Sequence, residues 1–176
     1  LDGITLPGME FHFGTALGED LGIPDLERKY DATFLAPGLW SGRSLQLPGL
    51  ERARATDALS FLQRHRERCD LLVGGNLLVI GGGSVASDAA LTARRAGAAK
   101  VHLVCLEERE EMPALAAEIA EMEREGIAIE NGWGPCEVSA GPRLSFARCT
   151  SVFGEDGVFR PAFDASETME LEFDQL

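Results

Sequence analysis

Positive charge is in short supply in this sequence. Lys and Arg number 16 against 29 Asp and Glu, a formal net charge of −13. A nucleic-acid backbone or an anionic membrane surface would be repelled, so neither is expected as a partner. Histidine is scarce as well, with three residues in 176. His12 and His102 fall in polar slots of strand-like patterns and His65 on a helix surface. None neighbours a nucleophile or a ligand set, and no chemistry is assigned to them. Cys69, Cys105, Cys136 and Cys149 lie far apart with no C-x-x-C spacing, which argues against a metal cluster and a disulfide framework. Cys105 and Cys149 sit inside apolar strand patterns and read as small core residues. No signal peptide and no apolar run of membrane-spanning length is visible, so the cytoplasm is the default compartment. An initiating methionine is missing too, and Leu1-Asp2-Gly3-Ile4 reads as the middle of something.

What is present is globular. Hydrophobic residues make up 45% and charged residues 26%, enough for a real core in one moderate domain, or one domain plus pieces of another. Acidic residues crowd positions 107–111 and 118–125, a pattern of solvated surface. The chain turns on Leu77-Leu78-Val79-Ile80-Gly81-Gly82-Gly83-Ser84-Val85-Ala86-Ser87-Asp88-Ala89-Ala90. A short apolar run ends in three glycines and an alanine-rich helical pattern follows at once, with the spacing G-x-G-x-x-A. That is the strand, turn and helix of a dinucleotide-binding βαβ unit. Gly81 would turn the chain sharply, Gly83 would let the backbone approach a pyrophosphate, and Ala86 would keep the helix close to the sheet. Gly82, Ser84 and Val85 complete the cradle, where the helix dipole favours negative charge.

Elsewhere the periodicity is readable. Met9–Gly14 alternates as a half-buried strand would, Ile23–Lys29 suits a short helix with Pro24 early, and Tyr30–Ala36 reads as a buried strand. Trp40 to Pro48 is a turn-rich connector. Thr56–Arg66 has the apolar spacing of an amphipathic helix capped by Thr56 or Asp57. Asp70 to Asn76 leads into the central strand, and Ser84–Ala96 forms the helix after the glycine turn, stopped by Gly97. Val101–Cys105 is a second strand, Pro113–Glu125 a helix ended by Gly126, and Ile127–Ile129 a third strand. This alternation calls for a parallel sheet with right-handed crossovers. After Asn131-Gly132-Trp133-Gly134-Pro135 the period changes, and Arg143–Phe153 and Thr168–Phe173 read as antiparallel strands. Glu10–Gly14 and Ala128–Gly132 echo each other as extended segments ending in glycine, as two related nucleotide-binding domains would.

Three segments together resemble one family: Ile80–Ala90, Glu110-Glu111-Met112-Pro113 and Arg148-Cys149-Thr150-Ser151-Val152-Phe153. The chain is similar over nearly its whole length to the small, β-subunit family of glutamate synthase, flavoproteins with two dinucleotide-binding domains that are related to the amino-terminal part of dihydropyrimidine dehydrogenase. Ala36-Pro37-Gly38 resembles that family's Ala-Thr-Gly segment between the FAD and NAD(P)H domains, with proline in place of threonine. The resemblance implies an α/β fold: a Rossmann-like parallel sheet with helices on both faces, an antiparallel β appendage, and flanking strands of an FAD domain. It implies residues 1–40 as the tail of a first FAD segment, 41–70 as connector and short helix, and 71–176 as an NAD(P)H-binding domain that stops before its last strand. The family's cysteine-rich iron–sulfur region and FAD glycine fingerprint are not in this sequence. The intact enzyme would pass hydride from nicotinamide to FAD, with iron–sulfur clusters or a larger synthase subunit as partner. The fragment alone would bind nucleotide without catalysing, and Gly38 would abut the flavin.

NADPH-using relatives tend to carry arginines just after the second strand, at the positions matched here by Leu106 and Glu107. A carboxylate at 107 would accept hydrogen bonds from ribose hydroxyls and repel a 2′-phosphate, favouring NAD(H) over NADP(H). Arg109 is near enough to hold a phosphate instead. Each residue also has a plainer reading. Glu107 could open a solvated acidic loop, Ser84 and Ser87 could be ordinary helix-start residues, and Trp40 and Trp133 could simply pack at a boundary. A glycine turn that serves packing, a Rossmann-like methyltransferase, and a non-catalytic module that has lost its ligand are the alternatives. A sheet without its closing strand leaves an open edge. Tyr30–Ala36 is expected to fill it, within the chain or by strand exchange in a homodimer.

Overall fold

In the computed structural model the described residues are 6–39, 42, 45–53, 55–68, 74–139 and 141–176. Leu1–Ile4, Trp40, Cys69 and residues 70–73 lie outside them. The described residues up to Leu39 form one unit and those beyond it a second.

The described residues of the first unit hold one helix, α1 (Ile23–Lys29), with Pro24 in its first turn where the missing N–H costs nothing. Met9–Gly14 and Tyr30–Ala36 are irregular, not strands, and Phe34 is 92% exposed. Alternating apolar residues make a strand only where a neighbouring strand takes up the backbone hydrogen bonds. Among the described residues of this unit the only ladder contact is the isolated bridge Leu17–Leu21.

The second unit is built on alternation. Helix α2 (Ala58–Glu67) is capped by Asp57, which accepts the Ser60 N–H at 3.0 Å, and the Ser60 side chain first and that N–H second hold its carboxyl below the usual range. Strand β1 (Asn76–Ile80), helix α3 (Ser84–Arg95), strand β2 (Lys100–Val104), helix α4 (Ala116–Arg124) and strand β3 (Ala128–Glu130) follow, and the three strands pair in parallel in the order β1-β2-β3. Gly97 and Gly126 lie just past α3 and α4 at φ +101° and +74°, where a β-carbon would be strained. Strands β4 (Trp133–Val138), β5 (Arg143–Phe153) and β6 (Phe159–Glu172) form an antiparallel sheet.

Side chains alternate across the parallel sheet, and so do its neighbours. Leu77, Val79, Val101 and Leu103 pack with Phe61 of α2, Ala89, Ala90 and Ala93 of α3, and Ile119 and Met122 of α4. Leu78 and Val104 point the other way, into Val138, Leu144, Phe146 and Phe173. The α/β class, the parallel sheet and the antiparallel addition are all present. Of the described helices, α2, α3 and α4 share one face. The second face, where helices were expected, carries the antiparallel sheet, whose inward row Leu144 and Phe146 is wholly buried and supplies the apolar surface a helix would have offered.

Three boundaries moved for local reasons. Helix α4 starts at Ala116 and not Pro113, because the Ala114 N–H is spent on Gly82 O at 3.0 Å and the Leu115 N–H on Glu118 Oε2 at 3.0 Å. Strand β4 occupies a stretch that reads as turn. It is an edge strand with a bulge at Pro135–Glu137, where proline and glycine are tolerated. Strand β6 begins at Phe159 because β5 offers it a partner, although its first half is exposed and does not alternate. The free edge of β1 is met by Gln175, which bridges Leu77 in parallel and accepts the Leu78 N–H at 3.0 Å. Tyr30–Ala36, the segment expected at that place, forms no strand.

Candidate nucleotide site

The three glycines between β1 and α3 have three different surroundings. Gly81 leaves the strand at φ +135° and donates its N–H to Val104 O at 2.8 Å. A β-carbon there would touch Ala86 Cβ at 3.5 Å, so helix and turn are in contact where Ala86 was expected to permit it. Gly82 is walled in. A β-carbon would lie 3.0 Å from Cys105 Cβ and 2.8 Å from Glu107 Oε2. Gly83, the residue before α3, has φ −93° and ψ 172°, ordinary extended values, and a β-carbon on it would have nothing within 4 Å.

No side chain caps α3. Among the described residues the N–H groups of Ser84 and Val85 have no acceptor, while those of Ala86 and Ser87 bond to Gly83 O at 3.0 and 3.1 Å. Open backbone, two free donors and the positive end of a twelve-residue helix dipole make a fitting cradle for a pyrophosphate. Ser84 is half-buried and Val85 exposed at this mouth. Ser87 is fully buried and its hydroxyl has no partner, so it cannot present that group to a phosphate.

The loop after β2 returns to the same turn. The Glu107 carboxylate stands against Gly82, and the Glu107 carbonyl accepts the Gly132 N–H at 3.1 Å and Asn131 Nδ2 at 3.1 Å. Glu108 is tied instead to Arg148, at 2.7 Å, and that guanidinium lies over Trp133 and reaches Asn131 O at 3.2 Å. Arg109 turns away to Glu123 of α4, at 2.7 Å. Of the residues singled out from the sequence, Gly81 to Ala86 and Glu107 therefore come together. Arg109 is committed to another helix, and Gly38, at φ +72°, belongs to the other unit. Asn131, Arg148 and Ala114 are the residues sequence reasoning missed. The signal was topological, since the carboxyl ends of neighbouring parallel strands converge at the ligand edge of such a sheet, and Asn131 follows β3 directly.

Cys105 sits under this turn. Burial first, and the nearby charge of Glu107 second, push its thiol up to about 11. The folded chain thus holds that proton more tightly than the unfolded one. The resulting stability is complete below the ordinary thiol range and falls as pH rises through about 11. At pH 8 iodoacetamide should label exposed Cys136 and leave buried Cys105 unmodified, as peptide mass mapping would show. Equal labelling would mean that the turn opens.

Residues 20–159 match the family model of pyridine nucleotide-disulphide oxidoreductases. The chain is 35% identical over 130 residues to the NADP(+)-dependent formate dehydrogenase subunit beta of Moorella thermoacetica, covering 72% of this chain and 18% of that protein. It is 33% identical over 141 residues to the NAD-dependent dihydropyrimidine dehydrogenase subunit PreT of Salmonella typhimurium, covering 79% and 33%. To the glutamate synthase [NADPH] small chain of Azospirillum brasilense it is 29% identical over 132 residues, covering 68% and 27%. The chain thus spans a third or less of the length of these relatives. Among solved structures, Mycobacterium tuberculosis FprA in complex with NADPH superposes with a TM-score of 0.68 at 19% identity, covering 92% of this chain and 52% of that one, a likeness of fold. Among the described residues no helix is long and apolar enough to cross a membrane.

Proposed function

This chain belongs to the pyridine nucleotide-disulphide oxidoreductase family, and on that footing we propose that residues 71–176 bind a nicotinamide dinucleotide, NAD(H) in preference to NADP(H), within a flavin-dependent oxidoreductase of the glutamate synthase small-subunit type. The observation that carries the reading is the open backbone at Gly83 with the Glu107 carboxylate beside it at Gly82. The chain's own residues bind and orient. Gly83, Ser84 and Val85 would receive the pyrophosphate on backbone N–H groups, and Gly81 and Ala86 hold the helix against the strand so that those donors converge. Glu107 would accept the adenosine ribose hydroxyls and repel a 2′-phosphate. Bound nicotinamide would supply a hydride to FAD in the longer protein, a transfer that needs no acid or base from this chain. Gly38, at its left-handed turn, is assigned to the flavin side of that protein.

The named relatives include both NAD- and NADP-dependent proteins, so the preference rests on Glu107. Arg109 supports NAD(H) only by being engaged with Glu123. Calorimetric titration of the chain with NADH and NADPH tests this reading, with Glu107→Arg alongside. NADH should bind at least tenfold tighter than NADPH, and the order should reverse in the variant, since the change swaps a repelled phosphate for a paired one. Binding of neither nucleotide would favour a module that keeps the fold without the ligand.

A further inference from the structure

Glu107 can read a ribose only if its side chain starts from a fixed point, and the structure shows what fixes it. The Glu107 carbonyl accepts from Asn131 Nδ2 at 3.1 Å, from the Gly132 N–H at 3.1 Å and from the Cys105 thiol at 3.5 Å. Asn131 Nδ2 also donates to Cys105 Sγ at 3.3 Å. Both amide hydrogens of Asn131 are therefore used inside one small ring of groups, Asn131, Cys105 and Glu107, under the wall of the glycine turn. The thiol takes part as donor and acceptor at once, which requires it to stay protonated. The Asn131 backbone is anchored in turn, because Arg148 Nη1 donates to its main-chain carbonyl at 3.2 Å.

We propose that Asn131 is the positioning residue that sets nucleotide preference in this chain, by holding the Glu107 backbone so that its carboxylate stands at Gly82 against the adenosine ribose. The inference rests on the nucleotide reading above. The effect of Asn131 passes through Glu107, and a preorganised acceptor is worth more than one that must be ordered on binding. Gly132 supplies a second donor from the backbone, so losing Asn131 loosens the turn without dismantling it.

The test is the ratio of NADPH to NADH dissociation constants, measured by calorimetry on the full chain for Asn131→Ala, Asn131→Asp and Glu107→Arg. Alanine removes both donors. Aspartate keeps the shape but offers only acceptors, beside a carbonyl and a carboxylate. Both Asn131 variants should weaken NADH at least fivefold and NADPH much less, moving the ratio toward one. A role confined to folding would weaken both nucleotides by the same factor and leave the ratio where it was, and that result overturns the proposal. If Asn131→Ala fails to fold, Asn131→Asp alone decides. A ratio unchanged in the Asn131 variants but reversed in Glu107→Arg sinks this inference and spares the nucleotide reading. A wild-type chain that binds neither nucleotide sinks both.

Discussion

Gly83→Ala is expected to cut nucleotide affinity by about ten- to hundredfold while leaving the fold almost untouched. The variant's β-carbon would project into open space, and the backbone at φ −93° and ψ 172° suits any residue. Alanine caps a helix less well than glycine, so a stability loss of up to about 1 kcal/mol is the limit. The ligand meets a different surface. A methyl group at the mouth of α3 stands where a phosphate must come to reach the Ser84 and Val85 N–H groups. A hydrogen bond to a charged group contributes about 1.5–3 kcal/mol, and tenfold corresponds to about 1.4 kcal/mol. Loss of one such bond accounts for the range. Thermal unfolding and calorimetric titration of the same sample check both halves. Gly82→Ala is the contrast, because its β-carbon would press on Cys105 Cβ and so couples the loss of binding to a loss of stability. Unaltered affinity in Gly83→Ala would reduce the three glycines to a packing device.

The largest effect on stability should come from Gly49→Ala, far from the glycine turn. Gly49 has φ +78°, and a β-carbon there would sit far inside van der Waals contact of the Val138 carbonyl oxygen. That oxygen is backbone of β4, not the end of a flexible side chain. The segment around Gly49 docks on β4 through Val138 N–H to Pro48 O at 2.9 Å, and places Leu47, Leu50 and Ala53 against Val138, Leu144 and Phe146. The left-handed backbone alone costs alanine about 1–2 kcal/mol, and prising the segment off the sheet brings the total to about 3 kcal/mol. For a chain of this size that is a fall in melting temperature of roughly 6–12 °C. Gly126→Ala is the control. Its φ of +74° carries the same backbone cost with nothing within 4 Å, so it should lose only the first part. Equal losses in the two variants would show that the Leu47–Arg52 segment yields freely.

The glycine turn was legible because its chemistry is local. The turn off β1, the uncapped helix start and the alanine face of α3 all lie within one short stretch, and each follows from the residue types present. That residue 107 would come to lie beside the turn was legible as well, from its place just past the second strand. What surrounds Glu107 was not. Asn131 reaches it only after β3 has paired with β2, and Arg148 reaches Asn131 and Glu108 only after β5 has paired with β4, and neither contact leaves a periodic trace in the sequence. The same holds for Tyr30–Ala36, whose apolar run has the composition of a strand and makes none, since a strand is defined by its partner.

By itself, then, the sequence determined the α/β alternation, the ends of α3 and α4 at Gly97 and Gly126, and the backbone geometry that opens Gly83, all of which depend on near neighbours along the chain. Tertiary structure decided which way each of these faces. It put the antiparallel sheet over Leu78 and Val104, brought Gln175 to the edge of β1, sent Arg109 to Glu123, and set Glu107 on Asn131. Those outcomes turn on which surfaces remain to be buried and which donors remain unpaired once the elements meet, and that inventory exists only in the folded chain.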